Sequence, residues 1–404
     1  MRGVVEGLEV TTLLDELTTP VGRADPYPRY ARLRRMAPVV RAADGALVVT
    51  RYTDCAAVTR DPRFAHLPPD MLAFIGYPDW AEHPALVQMF TSMLAANPPD
   101  HTRLRRLVSS AFTARRVQGL RPAIERMVDD LLDGLSGAVD FVGAFAFPLP
   151  VNVIGELLGV PPGDRAQFQP LVRDWTRVLE VISPEVLSRA DPAAATIRGY
   201  LAGLVAERRR RPTGDLLGAL VAAEQAGDRL TEDELLTMAA LLFAAGFETT
   251  TNLLANGLVA LLTHPAQNDR LREEPDLAQS AVEELLRFDS PVQIVGRAAA
   301  EPVELGGLTV DAGERVVAYL GAGNRDPERF RDPDRLDLTR PDNAPLSFGG
   351  GIHYCLGAPL ARLEAQVALP ALVRRFPKLA LCGVPERRDS LTIKGFIRLP
   401  VSTG

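Results

Sequence analysis

Apolar residues along most of the chain recur every three to four positions, the period at which an α-helix presents one apolar face. The clearest case begins at Thr231, where Thr231 and Glu234 match a capping box, and ends before Pro265. The pattern predicts helices over residues 28–36, 117–135, 151–158, 166–181, 193–210, 215–226, 232–262 and 278–288.

Patterns typical of strands are confined to three short segments. One surrounds Asp44-Gly45, a dipeptide favoured in tight hairpin turns, the second covers 303–320, and the third turns at Lys394-Gly395. No repeat of roughly 20 to 50 residues and no low-complexity linker interrupts the chain. We therefore expect a mainly α fold with small β-sheets, in one domain covering residues 1–404. A small β-rich lobe would come from about 38–52, 291–320 and 388–401.

Composition narrows the class of protein. A net charge of -6 argues against nucleic-acid binding, which depends on neutralising phosphates. Cys55, Cys355 and Cys382 are widely spaced and form no CxxC motif, so neither a disulfide framework nor a zinc site is expected. The N-terminus does not resemble a signal peptide, and the apolar run 235–247 is shorter than the roughly 20 residues that span a bilayer. We expect a cytoplasmic monomer that binds no membrane.

Residues 66–100 are rich in apolar side chains but show no clear period. Long apolar segments of this kind often act as lids over a pocket. The alternative is a surface loop that contains a short helix, and the sequence does not choose between the two.

The predicted helix 232–262 contains a local exception to its own pattern. It is apolar on all sides from 235 to 247, as expected for a helix in the interior, and then continues as GFETTTN. We expect a bend, because Gly246 weakens the turn and threonine hydroxyls bond preceding carbonyls, which would open a notch for a small ligand or water. Glu248 beside Thr249 could relay protons there. The alternative is a bend in which Glu248 pairs with an arginine.

Two further spacings place charged residues together on helices. Glu284 and Arg287 are three residues apart and can pair. His101 and Arg105 are four apart at the start of a helix and could bind an anionic group. Both patterns also fit ordinary solvated surface pairs.

The stretch FGGGIHYCLG, residues 348–357, places Cys355 just before a predicted helix. Backbone amides and the helix dipole there would favour a thiolate. Such a thiolate is either a nucleophile, with His353 as its base, or a metal ligand. A run of glycines before it would let the backbone pack flat against something wide and planar, and haem has that shape.

These motifs together resemble those of the cytochrome P450 haem-thiolate monooxygenases. The cysteine-ligand loop of that family is matched at Phe348, Gly351, His353, Cys355 and Gly357. Residues 245–250 (AGFETT) resemble the oxygen-binding helix, 284–287 the ExxR pair, and 324–330 the segment between that pair and the cysteine loop. The matches occur in the family's order from residue 97 to 357.

The resemblance implies a haem b cofactor with Cys355 as the axial ligand of the iron. Thr249 and Glu248 would deliver protons to bound dioxygen, and Gly246 would make room for it. Glu284 and Arg287 would form a structural pair that fixes the cysteine loop, with Arg325 as a candidate third member. The implied propionate ligands are His101, Arg105, Arg297 and His353, and the other implied haem contacts are Phe348, Gly349, Gly351, Gly357 and Ala245.

The implied activity is insertion of one atom of O2 into a hydrophobic small molecule, by hydroxylation or epoxidation. The resemblance is greatest to actinobacterial members that tailor polyketides and other secondary metabolites. Electrons would come from NAD(P)H through a ferredoxin reductase and a ferredoxin, with Arg103, Arg106, Arg115 and Arg116 as candidate docking residues. Candidate substrate contacts are Met71, Leu72, Phe74, Ile75, Leu242, Val292, Ile294, Val295 and Phe396.

Three alternatives remain open at this point. The same fold could catalyse oxidative coupling or desaturation. A non-catalytic haem protein would keep the Cys355 ligand without turnover. A hydrolase would use Cys355 as nucleophile and His353 as base, and would need no haem.

Overall fold

Helices dominate the computed structural model, which describes residues 2–74, 76–224 and 230–404. Short 3₁₀ turns occur at Trp80–Glu82, Pro162–Asp164, Arg177–Leu179, Pro275–Leu277 and Gly351–His353, and a π-helical turn at Val142–Ala146. The α-helices are α1 (Arg2–Leu17), α2 (Pro20–Ala24), α3 (Tyr27–Met36), α4 (Tyr52–Arg60), α5 (Met71–Phe74), α6 (Pro84–Phe90), α7 (Asp100–Ala111), α8 (Ala114–Gly119), α9 (Arg121–Asp133), α10 (Pro148–Leu158), α11 (Phe168–Thr176), α12 (Pro184–Arg210), α13 (Leu216–Glu224), α14 (Glu232–Leu262), α15 (Pro265–Glu273), α16 (Ala278–Phe288), α17 (Leu320–Gly323) and α18 (Ala358–Arg375).

The strands are short and form several small sheets. The largest has five strands in the order β1-β2-β8-β5-β3, in which β2 and β8 run parallel. The others pair β6 with β7, β10 with β11, and β12 with both β4 and β9. The strands are β1 (Val39–Arg41), β2 (Leu47–Val49), β3 (Phe64–Ala65), β4 (Ala138–Asp140), β5 (Ile294–Ala299), β6 (Val303–Leu305), β7 (Leu308–Val310), β8 (Arg315–Tyr319), β9 (Ala380–Leu381), β10 (Glu386–Arg387), β11 (Phe396–Arg398) and β12 (Pro400–Ser402).

The C-terminal strands differ from the expected lobe. The predicted hairpin at Asp44-Gly45 forms, and β8 joins it to β5, so the segments 38–52 and 291–320 do share one sheet. The segment 388–401 lies against this sheet without adding a strand to it: Val292 and Ile393 form an isolated bridge, and Leu391 packs against the cluster that includes Val48 and Tyr319. Its strands pair elsewhere: β11 pairs with β10, and β12 pairs with β4 and β9.

Two predicted helices, α14 and α16, have their predicted ends. The predicted helix 117–135 is divided into α8 and α9, with a new helix starting next to Pro122. The helix expected from 193 begins at Pro184, where the Ser183 side chain accepts from the Val186 amide and caps it. The end of the predicted helix 215–226 lies outside the described residues, beyond Glu224.

Helix α14 crosses the middle of the fold and positions the site. Its N-terminus carries the predicted capping box, in which the Glu234 amide donates to Thr231 Oγ1 and Glu234 accepts from the Thr231 amide. The helix packs against α10, α12, α16 and α18. By length and composition it could cross a membrane, but 83% of its most apolar 18-residue stretch is buried inside the protein. It is therefore a core helix.

Helix α14 continues through Gly246 without a break in its helical residues. A Cβ atom at Gly246 would lie 2.7 Å from Cγ1 of Ile154. The glycine thus allows α10 to approach α14 closely. The threonine part of the prediction is confirmed: Thr249 donates to the Ala245 carbonyl at 3.0 Å and Thr250 to the Gly246 carbonyl at 3.3 Å.

Residues 66–100 form a folded segment that contains α5, α6 and a 3₁₀ turn. The buried face of α6, including Leu86, joins the main apolar core. Trp175 Nε1 on α11 donates to the Ala85 carbonyl at 3.1 Å, and the His83 ring lies 2.7 Å from an Asp191 carboxylate oxygen on α12. These contacts fasten the segment to α11 and α12.

Candidate active site

The loop before α18 holds Cys355 with its backbone. The Cys355 amide donates to the Phe348 carbonyl at 3.0 Å, which closes the loop. Gly349 and Gly351 have φ values of 70° and 60°, in the left-handed region that glycine adopts without strain. Gly357, at the start of α18, would place a Cβ 3.9 Å from the Cys355 sulfur.

Part of the glycine run packs closely against α4. A Cβ at Gly350 would lie 2.6 Å from Cγ of Arg60, and one at Gly351 would lie 2.9 Å from the Thr59 carbonyl. Two of the three glycines therefore let the end of α4 contact the cysteine loop. Only Gly349 has open space around the position of its missing Cβ. The packing of α4 is therefore a second reason for glycine at Gly350 and Gly351, beside the predicted flat surface.

Two opposing effects act on the Cys355 thiol. Burial raises its pKa, while the backbone amides of Gly357 and Ala358 and the charge of Arg105 lower it. The predicted amide contacts are present, but burial is the largest of these effects. A cation bound to the sulfur would supply the missing stabilisation of the thiolate. The protein part of the site therefore suits a metal ligand better than a free nucleophile.

The histidine beside the cysteine is not placed as its base. The His353 ring lies against the His101 ring, with centroids 4.1 Å apart, and within the described ranges no hydrogen bond joins it to the Cys355 sulfur. Burial is the main cause that lowers the pKa of His353 to about 3, and nearby positive charges add to it. The hydrolase alternative thus lacks its catalytic pair.

Positively charged and hydrogen-bond-donating side chains gather beside the cysteine loop. Both ring nitrogens of His101 are buried without a hydrogen-bond partner in the described structure. Arg105 donates to the Tyr354 carbonyl at 2.7 Å, and Arg297 donates to its neighbouring Gly296 carbonyl. Burial lowers the pKa of Arg297 to about 10. No carboxylate pairs with either arginine in the part of the chain that the structure describes.

This cluster fits an anionic group with several acceptor atoms. Buried donors without partners are costly, and neighbouring positive charges repel one another in a low dielectric. The two carboxylates of a haem would satisfy both deficits. The four residues expected at the propionates, His101, Arg105, Arg297 and His353, thus lie together on a surface that suits that role.

One residue of this cluster was missed by sequence reasoning. His66, directly after β3, places its ring edge-to-face against His353 with centroids 4.6 Å apart. It lies in the segment without periodicity, and no motif marks it. Only the three-dimensional contact identifies it.

Helix α14 has a single exposed face along its central part. Between Leu235 and Leu258 every residue is buried except Ala245, Gly246 and Thr249, which are partly or fully exposed. Ala245 and Thr249 lie about one helical turn apart and so point the same way. This is the face that sequence analysis assigned to oxygen binding.

Glu248 points away from that face. It is buried, and its carboxylate is paired with Arg388 from the segment after β10. The Asn252 side chain donates to the Glu248 carbonyl at 2.8 Å. The pairing corresponds to the alternative interpretation of this acid, namely that it binds an arginine.

The pair Glu284–Arg287 is wholly buried, with both side chains 0% exposed. Arg287 donates to both carboxylate oxygens at 2.7 and 2.8 Å. Arg340 and Asn343 also donate to Glu284, at 3.1 and 3.0 Å. The network fastens α16 to the coil that leads to the cysteine loop.

Arg325 is not part of this network, contrary to expectation. Its guanidinium lies 3.8 Å from the Phe288 ring centroid and donates to the Phe288 carbonyl. Arg340 takes the place expected for it, because the coil after Phe330 returns to Glu284. The neighbouring Asn324 supports the approach to the cysteine loop, since its side-chain carbonyl oxygen accepts from the Leu346 amide at 2.7 Å.

The ring of Phe348, the first residue of the cysteine loop, is covered by the charged side chain of Arg362. The Arg362 guanidinium lies 4.4 Å from its ring centroid and also donates to the Tyr354 hydroxyl at 2.9 Å. Arg362 is held in turn by Glu283. The aromatic ring and this arginine together cover one side of the loop.

The candidate substrate contacts fall into three groups. Val292, Ile294 and Val295 are partly exposed, and Met71 is exposed. Leu72, Leu242 and Phe396 are buried in the main core, and the Arg387 guanidinium lies 4.5 Å from the centroid of the Phe396 ring. Ile75 and the side chain of Phe74 lie outside the described residues.

The candidate docking arginines are not equivalent. Arg103 pairs with Glu234, and Arg116 donates to the Gly214 carbonyl at 2.8 Å. Arg106 and Arg115 are exposed. Arg103 is paired because α7 approaches the N-terminus of α14, where Glu234 belongs to the capping box.

Comparisons with known proteins agree with this geometry. The family model described as cytochrome P450 matches residues 166–401. The chain is 45% identical to cytochrome P450 107B1 of Saccharopolyspora erythraea, over 94% of this chain and 95% of that one. It is 44% identical to the cytochrome P450 monooxygenase PikC of Streptomyces venezuelae, over 94% and 91%. The solved structure of P450BioI in complex with an acyl carrier protein ligated to hexadec-9Z-enoic acid superposes with a TM-score of 0.88 at 38% identity, covering 94% of this chain and 99% of that one. The chain therefore belongs to the cytochrome P450 family.

Proposed function

We propose that this P450 monooxygenase hydroxylates or epoxidises a hydrophobic, polyketide-type small molecule. The observation that carries the proposal is the cluster of cations and hydrogen-bond donors beside the Cys355 loop. Helix α14 adds a third feature, an exposed face at Ala245 and Thr249 in an otherwise buried stretch. Each feature alone would fit several kinds of site, but only a haem with dioxygen uses all three.

The residues that would hold the cofactor are Cys355 at the iron and His101, Arg105, Arg297 and His353 at the propionates. When bound, haem would supply the activation of dioxygen, and the Cys355 thiolate would donate electron density to it. The protein supplies the buried sulfur, the counter-charges and a face of α14 without bulky side chains.

Thr249 and Glu248 are proposed to handle protons. The Thr249 hydroxyl donates to the Ala245 carbonyl, so its lone pairs can accept a hydrogen bond from water at the open face. The Glu248 carboxylate is paired with Arg388, so it can pass a proton towards that water only when the pair opens. Gly246 contributes by letting Ile154 of α10 pack closely against this part of α14.

Electrons are proposed to arrive from NAD(P)H through a ferredoxin reductase and a ferredoxin. Members of the family use redox partner proteins. Arg106 and Arg115 are the exposed members of the candidate docking set, and an acidic ferredoxin would be attracted to them. A cytoplasmic location and a monomeric state remain predictions.

The substrate class is inferred from relatives. The chain is 40% identical to 6-deoxyerythronolide B hydroxylase of Saccharopolyspora erythraea and 41% identical to mycinamicin IV hydroxylase/epoxidase of Micromonospora griseorubida. The partly exposed Val292 and Val295 pack on one cluster and supply apolar surface that suits such molecules. We therefore expect macrolactones to bind better than small polar compounds.

Oxidative bond formation is the second candidate. A solved relative, CxnD, 33% identical over 96% of this chain, is described as forming a C–S bond in chuangxinmycin biosynthesis. Turnover under ¹⁸O₂ separates the two reactions. A product that carries one ¹⁸O atom supports the monooxygenase, and a product with a new bond and no ¹⁸O supports coupling.

The haem assignment is tested by the spectrum of the reduced protein with carbon monoxide. The wild-type protein and Cys382→Ser, which alters an exposed cysteine, should both show the thiolate-ligated spectrum. Cys355→Ala should lose it. A thiolate-type spectrum in Cys355→Ala would overturn the assignment.

The role of Thr249 is tested by the ratio of NAD(P)H consumed to product formed. Thr249→Ala should raise this ratio by about 10-fold or more, because proton delivery at the open face is lost. Thr263→Ala is the matched control, since Thr263 makes the same bond to a carbonyl four residues earlier at the far end of α14. Equal ratios in the two variants would contradict the proposed role.

A further inference from the structure

His66 is held in a defined position by one asparagine. The Asn97 side chain accepts from the His66 amide at 2.9 Å and donates to the His66 carbonyl at 2.8 Å. The Asn97 backbone carbonyl also accepts from the His101 amide at 2.9 Å. Asn97 therefore fixes His66 and the first turn of α7 relative to each other.

The His66 ring reaches into the cluster beside the cysteine loop. Its edge-to-face contact with His353 places it within that group of rings, and its Nε2 atom is inaccessible to solvent. Nε2 has no hydrogen-bond partner in the ranges that the structure describes. An imidazole nitrogen buried in this way either costs the protein a hydrogen bond that water would have made or belongs to a binding site.

The surroundings of His66 indicate which of these it is. Burial is the main cause that lowers its pKa to about 2, and the charge of Arg297 and the rings of His353 and His101 lower it further. Among the described residues, the neighbours that lower the pKa of His66 are cations or hydrogen-bond donors, and none is an acid. A neutral His66 can still donate one N–H to an anion.

We propose that His66 is a fifth member of the propionate site, where its Nε2–H donates a hydrogen bond to a haem carboxylate. The inference rests on the proposed haem. The motifs indicate four propionate residues. His66 would be a fifth, at a position that no motif marks. His66 is a positioning residue here, since it would hold the cofactor by its periphery.

The test compares two cofactors in two proteins. Wild type and His66→Phe are each loaded with haem or with haem whose propionates are methyl esters, and loss of cofactor to a haem-scavenging apo-globin is timed. Phenylalanine keeps a ring against His353 but cannot donate. We expect His66→Phe to lose haem about 10-fold faster or more, and to lose the diester at a rate within about 3-fold of wild type.

Controls separate hydrogen bonding from packing. His66→Gln keeps a donor and should retain haem nearly as well as wild type. Cys382→Ser alters an exposed residue outside the cluster and should leave both rates unchanged. If His66→Phe does not accumulate with haem, His66→Leu is measured in the same way.

Two results would overturn the inference. One is loss of haem from the apolar variants at the wild-type rate, and the other is equal acceleration for haem and for the diester, which would indicate packing alone. Failure of the haem proposal itself would look different. The wild-type protein would then take up no haem, and no variant could be compared.

Discussion

Replacing Arg287 by lysine tests how the buried ExxR pair supports the fold. Arg287 donates five hydrogen bonds: two to the Glu284 carboxylate and three to the backbone carbonyls of Asn324, Pro333 and Arg335. The side chain is 0% exposed, so water cannot replace a lost partner. Lysine keeps the charge but offers three donors at one atom instead of a planar fork.

The size of the effect follows from these bonds. Even with ideal geometry the lysine leaves two of the five bonds unmade, and each buried group without a partner costs about 1 to 3 kcal/mol, hence about 2 to 6 kcal/mol in all. An unfolding entropy of about 2.1 cal/mol/K per residue over 404 residues is about 0.85 kcal/mol/K. We therefore expect Arg287→Lys to lower the Tm by about 2 to 7 °C.

The assay is thermal unfolding of the haem-loaded protein, followed by far-UV circular dichroism at one fixed scan rate. The matched control is Arg375→Lys, because Arg375 pairs with Asp133 at 2.8 Å with side chains 57% and 70% exposed. Exposed pairs contribute little, so its Tm should change by less than about 1 °C. If the two variants shift the Tm equally, burial does not determine the strength of the pair and the reasoning fails.

Two further predictions concern packing and pH. Gly246→Ala should cost about 1 to 3 kcal/mol of unfolding free energy, because its methyl group would lie 2.7 Å from Ile154 Cγ1. The cost should fall when Ile154 is already alanine, and additive losses in a urea double-mutant cycle would contradict this. The hydrogen bond to Asp191 raises the pKa of His83 above its ordinary 6.5, so its stabilisation is present in acid and is lost as pH rises through the folded pKa. The Tm of wild type should exceed that of His83→Gln by more at about pH 5 than at about pH 9, and an equal difference would refute it.

The elements that the sequence predicted well are those with local causes. Helix α14 has its predicted ends because a capping box begins it and His264-Pro265 follows it. The Asp44-Gly45 hairpin forms because glycine at φ 83° suits a tight turn. Periodicity, caps and turn residues act over a few positions, and so can be read without the fold.

Contacts between distant segments could not be read in this way. Arg340 and Asn343 reach Glu284 across more than 50 residues of chain from a coil with no periodicity. The approach of Arg60 to Gly350 and of His66 to His353 depends on how α4 and β3 pack beside the cysteine loop. The motifs identified the cysteine loop itself, but not the segments that surround it.

The exception in the pattern of α14 shows both the value and the limit of reasoning from sequence. The polar stretch did mark the part of the helix that has an exposed face, but its members have different causes. Gly246 is required by Ile154 on α10, Glu248 by Arg388 on another segment, and only Thr249 lies with Ala245 on the open face. A break in an apolar pattern therefore locates a site along a helix. Which of its residues serve the chemistry is decided by the face on which each lies and by the elements packed against it.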